Sequence, residues 1–428
     1  MKKKWFIKKN ETTIQYFVCI YFFFLLEFII RVPLNLIDSY QIPSYILNYK
    51  DAGFINRAFI GTISRMIFGE IITNRDIILL SSCTQIIIIT ILSVFFSVLL
   101  GKYKHNKFQN VILLVFIFYW ILPISYSAYY QELFTIHLDI YNVLFNLLII
   151  ISYFKLKTNL KLVSYLLIAC VSLLTHTNFF FMGFPIMLFL LIVELTETSH
   201  QKKFFIKAFF LVVFICAFFL IVQFASSISM SLDETIQYIT NHYSGYDLDT
   251  IITGEEWGYI PYYVFMLQNY YFSDFFTNIF DNLKVYWQDM FIGGIETIII
   301  FSPIIFFLIQ SLRNVLKSNN KKLKIVCVSG YIFSLMFLPL FILVVDYGRW
   351  FTLLAMYFSI IWGFLFYKYK EELISLGYLE WLQTYITKHK LFICLLIIFY
   401  LSLGKIGLIE LWPRFGVILN EFLAFIYY

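Results

Sequence analysis

The stretch at positions 51–69, DAGFINRAFIGTISRMIFG, combines charged and small residues between two long apolar segments. Wound as an α-helix, residues 56–69 place Arg57 and Arg65 on one arc with Gly61 and Ser64, and mainly apolar side chains on the opposite arc. Arginine is permanently charged and forms forked hydrogen bonds to phosphate. The pattern predicts an interfacial helix whose arginines bind a lipid-linked phosphate or diphosphate. Alternatively, the two arginines only extend to lipid headgroups.

Candidate bases for such a substrate lie nearby. Asp51 opens the stretch, and Asp38 precedes it just beyond the first apolar span. A short outer segment, SYSAYYQELFTIHLD, carries His137 and Asp139. A carboxylate can orient a neutral histidine that accepts a proton near pH 7, so this pair is a candidate for proton transfer. The alternative is an ordinary polar loop in which His137 caps the next helix.

The apolar run at 162–195 is too long for one membrane span, and the polar break THTN divides it. His176 lies in that break, at the outer end of a tight helical pair. A histidine at membrane depth that faces a cavity is a functional candidate. It can equally satisfy a neighbouring carbonyl group.

Two further outer segments carry candidate residues. The sequence DYGRW joins two spans; there Arg349 adds a cation and Asp346 a candidate base, or the two pair with each other and hold the hairpin. The segment 225–289 has nine acidic residues against one lysine. Its aromatic cluster begins at Trp257 and suits sugar binding, or alternatively forms an aromatic belt at the headgroups. In the same segment, SLDE predicts a capping box and a helix over 232–240.

Composition determines the protein class. Of 428 residues, 61% are hydrophobic and 14% are charged, against about 25% charged in soluble domains. Apolar runs of about 17–25 residues recur along the chain, each long enough to span a bilayer. We predict an all-α polytopic membrane protein with about 11 (10–13) transmembrane helices and one large extracytoplasmic loop. Cysteines lie in apolar runs without a C-x-x-C pair, so neither disulfides nor a metal site is indicated. No pattern indicates a cofactor.

The positions of the basic residues predict the topology. With the N-terminus in the cytoplasm, 23 of the 32 Lys and Arg residues fall on the cytoplasmic side. The net charge of +6 therefore reflects basic residues placed on the cytoplasmic side of the lipid bilayer. It does not indicate a nucleic-acid partner. We expect a multi-pass protein of the bacterial plasma (inner) membrane, with one integral membrane domain over 1–428. Its first outer loop is 38–76, with an interfacial helix, and its large outer loop is 225–289.

Two families resemble this chain. Multi-spanning (GT-C-like) polyprenyl-sugar glycosyltransferases carry a catalytic aspartate just beyond the first span, where Asp38 and Asp51 lie here. Repeat-unit polymerases of O-antigen and capsule have an outer-side active site, one enlarged outer loop and functionally important outer arginines. The second resemblance implies roles for Arg57, Arg65 and Arg349, matched by residue type and by side of the membrane.

Three functions follow as expectations. The first is an outer-face enzyme that polymerises or extends a polyprenyl-diphosphate-linked glycan, which needs a base for the attacking hydroxyl and cations for the departing diphosphate. The second is a GT-C-type glycosyltransferase that uses a polyprenyl-phosphate sugar. The third is a polysaccharide transporter or flippase, which predicts charges deep in several spans and internal repeats. The partners of the enzyme would be a polyprenyl-linked oligosaccharide and other polysaccharide-assembly proteins.

Overall fold

The structure of the chain is a computed structural model that describes most of its first 245 residues and parts of the remainder. The described residues are 11–31, 42–103, 138–225, 228–245, 312–336, 360–377 and 380–395, with single residues at 109, 284, 309 and 357. Nearly all of them are helical, which agrees with the predicted all-α class.

The helices of the first half of the chain are α1 (Glu11–Arg31), α2 (Ile42–Ile46), α3 (Tyr49–Ala52), α4 (Ala58–Phe68), α5 (Asn74–Lys102), α6 (Asp139–Lys155), α7 (Thr158–Thr175), α8 (Phe179–Met182), α9 (Phe184–Glu197) and α10 (Gln201–Phe224). Later come α11 (Leu232–His242), α12 (Lys321–Leu335), α13 (Lys370–Ser375) and α14 (Glu380–Lys388). Two short strands are described, β1 (Ile72–Thr73) and β2 (Tyr243–Ser244).

Four described segments are long and apolar enough to cross a membrane. They are α5, α7, the segment Phe179–Glu197 that contains α8 and α9, and α10. The last has the highest mean hydropathy, 2.9 over its most apolar window, and only 17% of that window is buried within the protein. An apolar helix surface of this kind suits contact with lipid. The membrane class is therefore supported, while the predicted number of about 11 spans stays a prediction.

The chain divides into two compact units. One unit comprises residues 1–32, 89–132 and 282–428, and the other comprises 33–88 and 133–281. Both units are assembled from segments far apart in sequence. The single domain that we expected over 1–428 stays a prediction.

Within the unit formed by 33–88 and 133–281, α4 packs against α2 through a small-residue face. Gly61 and Ser64 of α4 are buried, and a Cβ atom added to Gly61 would overlap the carbonyl group of Leu47. The opposite side of α4 exposes Met66 and Ile67. The predicted helix over 56–69 is confirmed with slightly shorter bounds. Its small-residue arc faces α2, because glycine allows the two backbones to approach closely.

The same unit connects α11 to the first loop through the backbone. β1 and β2 pair in parallel, with Ile72 opposite Tyr243 and Thr73 opposite Ser244. The capping box that SLDE predicts is present at the start of α11, which confirms a helix there and extends it to His242. This short ladder joins two segments that lie about 170 residues apart.

A buried ion pair connects α7 and α9 in this unit. The Nζ atom of Lys161 lies 2.6 Å from Glu194 Oε2, and the Thr158 hydroxyl donates to Glu194 Oε1 at 2.6 Å. Because both charges are mostly buried and each has a partner, the pair satisfies groups that would be costly alone in an apolar environment.

In the other unit, the C-terminal end of α5 is fixed to the helical residues 360–368 and to Lys370 of α13. Tyr103 donates a hydrogen bond from its hydroxyl to the Phe366 carbonyl at 2.8 Å, and Lys370 Nζ donates to the Lys102 carbonyl at 2.9 Å. These bonds satisfy carbonyl groups at helix ends, which have no partner within the helix.

Candidate functional site

The carboxylate of Asp51 is the centre of a partly exposed polar cluster. Its Oδ2 atom accepts hydrogen bonds from the Tyr238 hydroxyl at 2.6 Å and from Asn48 Nδ2 at 3.1 Å, and it forms an ion pair with Arg65. The guanidinium of Arg65 also donates to Glu70 Oε1 at 3.2 Å. We call Asn48, Asp51, Arg65 and Tyr238 the Asp51 cluster.

Three separate elements position the Asp51 cluster. Asn48 is the N-cap of α3, and its Oδ1 atom accepts from the backbone N–H groups of Lys50 and Asp51 at 3.0 and 3.1 Å. Arg65 lies in the last turn of α4, while Tyr238 comes from α11. The cluster therefore fastens the first loop to α11 through side chains, beside the β1–β2 ladder.

The electrostatics of the cluster keep Asp51 ionised. Partial burial acts to raise its pKa, but the hydrogen bonds from Tyr238 and Asn48 and the nearby Arg65 charge outweigh burial, so the net pKa lies below its ordinary value. For Tyr238, burial and the hydrogen bond to Asp51 raise the pKa to about 12, so the phenol stays a donor at neutral pH. A carboxylate with a lowered pKa is a weak base.

These contacts bear on two of the predicted roles. Arg65 faces two carboxylates, those of Asp51 and Glu70, so its charge is already balanced by the protein. The geometry favours a positioning role for Asp51 and Arg65. The roles predicted from the sequence, Asp51 as base and Arg65 as phosphate ligand, stay predictions.

Arg57 occupies the N-cap position of α4 with a left-handed backbone, φ 71° and ψ 3°. Among the residues that the structure describes, it is the one non-glycine residue with positive φ. A conformation that costs free energy for an L-residue persists only where the surroundings enforce it. Its side chain is partly exposed. Arg57 therefore lies at the N-cap, just before the helix on which the sequence pattern had placed it.

Asn56 joins this end of α4 to the polar break after α7. It is 9% exposed, and its Nδ2 atom donates to Thr177 Oγ1 at 3.3 Å. A second contact runs from the Tyr49 hydroxyl to the Leu174 carbonyl at 3.4 Å. The first loop is thus packed directly against the break that carries His176.

His176 and Asp139 form a buried pair. His176 is the C-cap of α7 with an extended backbone, and Asp139 is the first residue of α6. His176 Nε2 lies 3.9 Å from Asp139 Oδ1, and the two residues are 3% and 0% exposed. The predicted functional candidates Asp139 and His176 are therefore brought together, although they lie 37 positions apart in the chain.

Asn178 contacts both ring nitrogens of His176. The backbone N–H of Asn178 donates to His176 Nδ1 at 3.1 Å, so Nδ1 acts as an acceptor. Nε2 is the nitrogen that faces Asp139, and the side-chain amide of Asn178 lies 3.3 Å from it. Because the lone pair of Nδ1 is occupied, the carboxylate of Asp139 is better suited than the imidazole to accept a proton from a substrate.

Asp139 begins a polar stripe on α6. Asn142 and Asn146 follow at helical spacing on the same face, and all three are fully buried. Neither the amide nitrogen nor the amide oxygen of Asn142 has a hydrogen-bond partner in the part of the chain that the structure describes. A buried polar face in an otherwise apolar helix is costly and marks a functional candidate.

Several predicted site residues lie outside the described residues. These are Asp38, His137, Trp257, Asp346 and Arg349. Among the residues that are described, no group of three His, Cys, Asp or Glu side chains is arranged to hold a metal ion.

Sequence reasoning missed four polar residues of these clusters. Asn48 and Tyr238 carry no local signal, because their roles depend on packing between distant segments. Asn56 directly precedes Arg57, but only the fold reveals its bond to Thr177. Asn142 was detectable, since it lies three residues after Asp139 in an apolar run and so on the same helical face.

Comparison of the chain with models of protein families, with curated proteins and with solved structures finds no match. Its function is therefore inferred from its own residues and their geometry.

Proposed function

We propose that this protein is a membrane enzyme of cell-surface polysaccharide assembly. It acts on the outer face of the bacterial plasma membrane and polymerises or extends a glycan linked to polyprenyl diphosphate. The membrane class rests on the apolar helices, and the orientation rests on the distribution of basic residues.

The hydrogen bond between Asn56 and Thr177 carries the proposal. It brings the loop with Arg57 against the break with His176, which faces Asp139. A cation and a carboxylate that can accept a proton therefore belong to neighbouring segments of one unit. These are the two groups that glycosyl transfer from a diphosphate requires.

The proposed reaction is a displacement at the anomeric carbon of the donor sugar. A hydroxyl oxygen of the acceptor forms the new bond to that carbon, and the bond from the carbon to the diphosphate oxygen breaks. The diphosphate leaves with the electron pair and is stabilised by Arg57. The hydroxyl proton passes to Asp139, whose carboxylate lies 3.9 Å from Nε2 of His176.

The exposed side of α4 suits the lipid part of such a substrate. Met66 and Ile67 are 78% and 59% exposed there, and Ile71 continues the apolar surface beyond the helix. The polar groups at the other end of α4 would face the diphosphate. A polyprenyl chain in the bilayer would then contact apolar side chains while its headgroup contacts polar ones.

A second candidate function is transfer of single sugars from a polyprenyl phosphate. The observation that favours it is the loop after α1, which folds as the short helices α2, α3 and α4 and carries Asp51. In that reaction Asp51 or Asp38 would act as base. The Asp51 cluster weighs against Asp51, because a carboxylate with a lowered pKa holds a proton poorly.

The length distribution of surface polysaccharide tests the proposal in a strain that lacks the native gene. The native chain should restore long polymer, and Asp139→Asn should leave single repeat units on the lipid carrier. Polymer of normal length but changed composition would favour the single-sugar transferase. Repeat units trapped inside the cell would favour a transporter and contradict the proposal.

Ser93→Ala serves as the matched control. Ser93 is a fully buried polar residue of α5 in the other unit, and we assign it no part in the reaction. This variant should restore polymer as well as the native chain. Equal levels of inserted protein must be verified by immunoblotting of membranes for all variants.

A further inference from the structure

We propose that Asn142 and Asn56, on two elements next to the Asp139–His176 pair, form a binding site for the hydroxyl groups of a sugar. The proposal rests on the proposed function, and it names the residues that hold the acceptor glycan. Its chemistry is that of a polyhydroxylated ring, with no charge required of the ligand.

Asn142 provides the first observation. It is 0% exposed, and both polar atoms of its amide, Oδ1 and Nδ2, lack a hydrogen-bond partner among the described residues. It lies one helical turn after Asp139 on the same face of α6, so its Cβ atom lies about 5–6 Å from that of Asp139. Buried amides are normally satisfied, and an exception of this kind indicates a ligand or another role.

Asn56 provides an independent observation from another element. Its Nδ2 atom is occupied by Thr177, but its Oδ1 atom has no partner among the residues that the structure describes. Thr177 directly follows His176 in the chain. Amide groups with open hydrogen-bonding atoms therefore lie on α6, one turn after Asp139, and at the start of α4, bonded to the residue that follows His176.

A sugar hydroxyl matches these groups. The amide of Asn142 offers Oδ1 as an acceptor and the two N–H groups of Nδ2 as donors, and Asn56 offers its Oδ1 as an acceptor. A hydroxyl group donates one hydrogen bond and accepts others, so neighbouring hydroxyls of a ring can satisfy both amides together. A phosphate oxygen would satisfy only the donors, because it has no hydrogen to give to the two Oδ1 atoms.

The first test compares the thermal stability of Asn142→Leu with that of the native chain, in a polyoxyethylene detergent that contains no sugar. Leucine is close in size to asparagine and removes the unpaired amide. We expect the melting temperature to rise by about 1–3 °C. A lower melting temperature would mean that the amide is satisfied within the protein, and it would overturn the proposal.

The second test measures ligand binding by the shift in melting temperature, followed by tryptophan fluorescence. The probes are methyl glucoside, methyl galactoside and N-acetylglucosamine, each at millimolar concentration, with cyclohexylmethanol as the apolar ring control. At least one glycoside should raise the melting temperature of the native chain and of Ser93→Ala. The shift in melting temperature that it produces should be at least ten-fold smaller for Asn142→Leu and Asn56→Leu. Cyclohexylmethanol should have no effect.

The two proposals can fail separately. In one outcome, glycosides stabilise the protein in a way that depends on Asn142, but deletion of the gene leaves the surface polysaccharide unchanged. That outcome would support the sugar site and reject the polymerase. The absence of stabilisation by every glycoside, or equal stabilisation of native and Asn142→Leu protein, would reject the sugar site. Asn56→Leu provides a second variant if Asn142→Leu does not insert.

Discussion

Asn56 and Thr177, 121 positions apart in the chain, are joined by a buried hydrogen bond of 3.3 Å from Nδ2 to Oγ1. The bond connects the residue before Arg57 with the residue after His176. Two stretches that the sequence marks separately, one by its arginines and one by its polar break, are therefore in direct contact, and we propose that they form one site. Asp139 completes the site from α6.

The topology is testable with cysteines at Ser244 and Asn319, both exposed. The background must lack the native cysteines, since Cys19, Cys83 and Cys394 are exposed as well. We expect an impermeant maleimide to label position 244 in intact cells and position 319 only after lysis, because the basic residues predict opposite sides. Labelling of position 319 alone in intact cells would reverse the topology and the site assignments with it.

The Asp51 cluster should be structural. Asp51→Ala and Tyr238→Phe each remove a bond between the first loop and α11, and each should lower the melting temperature. Because the two residues contact each other, the double variant should lose less than the sum of the single variants, with a coupling of about 1–2 kcal/mol. Additive losses, measured by thermal melting in detergent, would show that the two side chains do not interact.

The cluster should also respond to acid. The pKa of Asp51 is lowered in the folded state, so its contribution to stability is complete above the ordinary value of 3.8 and is lost as pH falls through the lower folded value. Proteolysis of the α11 segment should therefore increase at the acid end of a pH series run with an acid-stable protease. In Asp51→Asn protein this pH dependence should be smaller, and an unchanged dependence would assign the titration to another group.

Composition and local patterns predicted much of the fold. The apolar runs indicated membrane helices, the period of the 51–69 stretch indicated α4, and SLDE indicated α11. The ion pair between Asp51 and Arg65 could not be predicted, because the residues lie in different helices, 14 positions apart. The bond from Tyr238 to Asp51 spans 187 positions and depends on tertiary packing alone.

The candidate site was predictable in part. His176 stood out as a polar residue in an apolar run, and Asp139 as an acid near a histidine. The sequence offered His137 as one candidate neighbour of Asp139, because the two residues are close along the chain, with an ordinary polar loop as the alternative. The fold places His176 at 3.9 Å from Asp139, and the pairing with His137 stays a prediction because His137 lies outside the described residues.

Arg57→Lys tests the role of the cation. A lysine keeps the charge but cannot form a forked bond to phosphate, so loss of the fork should cost about 1.5–3 kcal/mol, or roughly 10- to 100-fold in turnover. Arg57→Ala should be similarly impaired. Arg75→Lys is the matched control, since Arg75 is an exposed arginine at the start of α5. Full polymer length with Arg57→Lys would rule out Arg57 as a forked ligand of the phosphate.

The measurement that tests the account most directly compares Asp139→Asn with Asp51→Asn. Each removes one carboxylate and keeps the size of the side chain. The assay is the rate of glycan extension by purified protein in vesicles, on lipid carrier extracted from the deletion strain, per mole of folded enzyme.

Asp139→Asn should lower the rate by about 10²- to 10⁴-fold, because the base for the attacking hydroxyl is lost. Asp51→Asn should keep most of the rate per folded molecule while lowering the melting temperature. Native activity in Asp139→Asn together with loss of activity in Asp51→Asn would contradict the account and assign the base to Asp51.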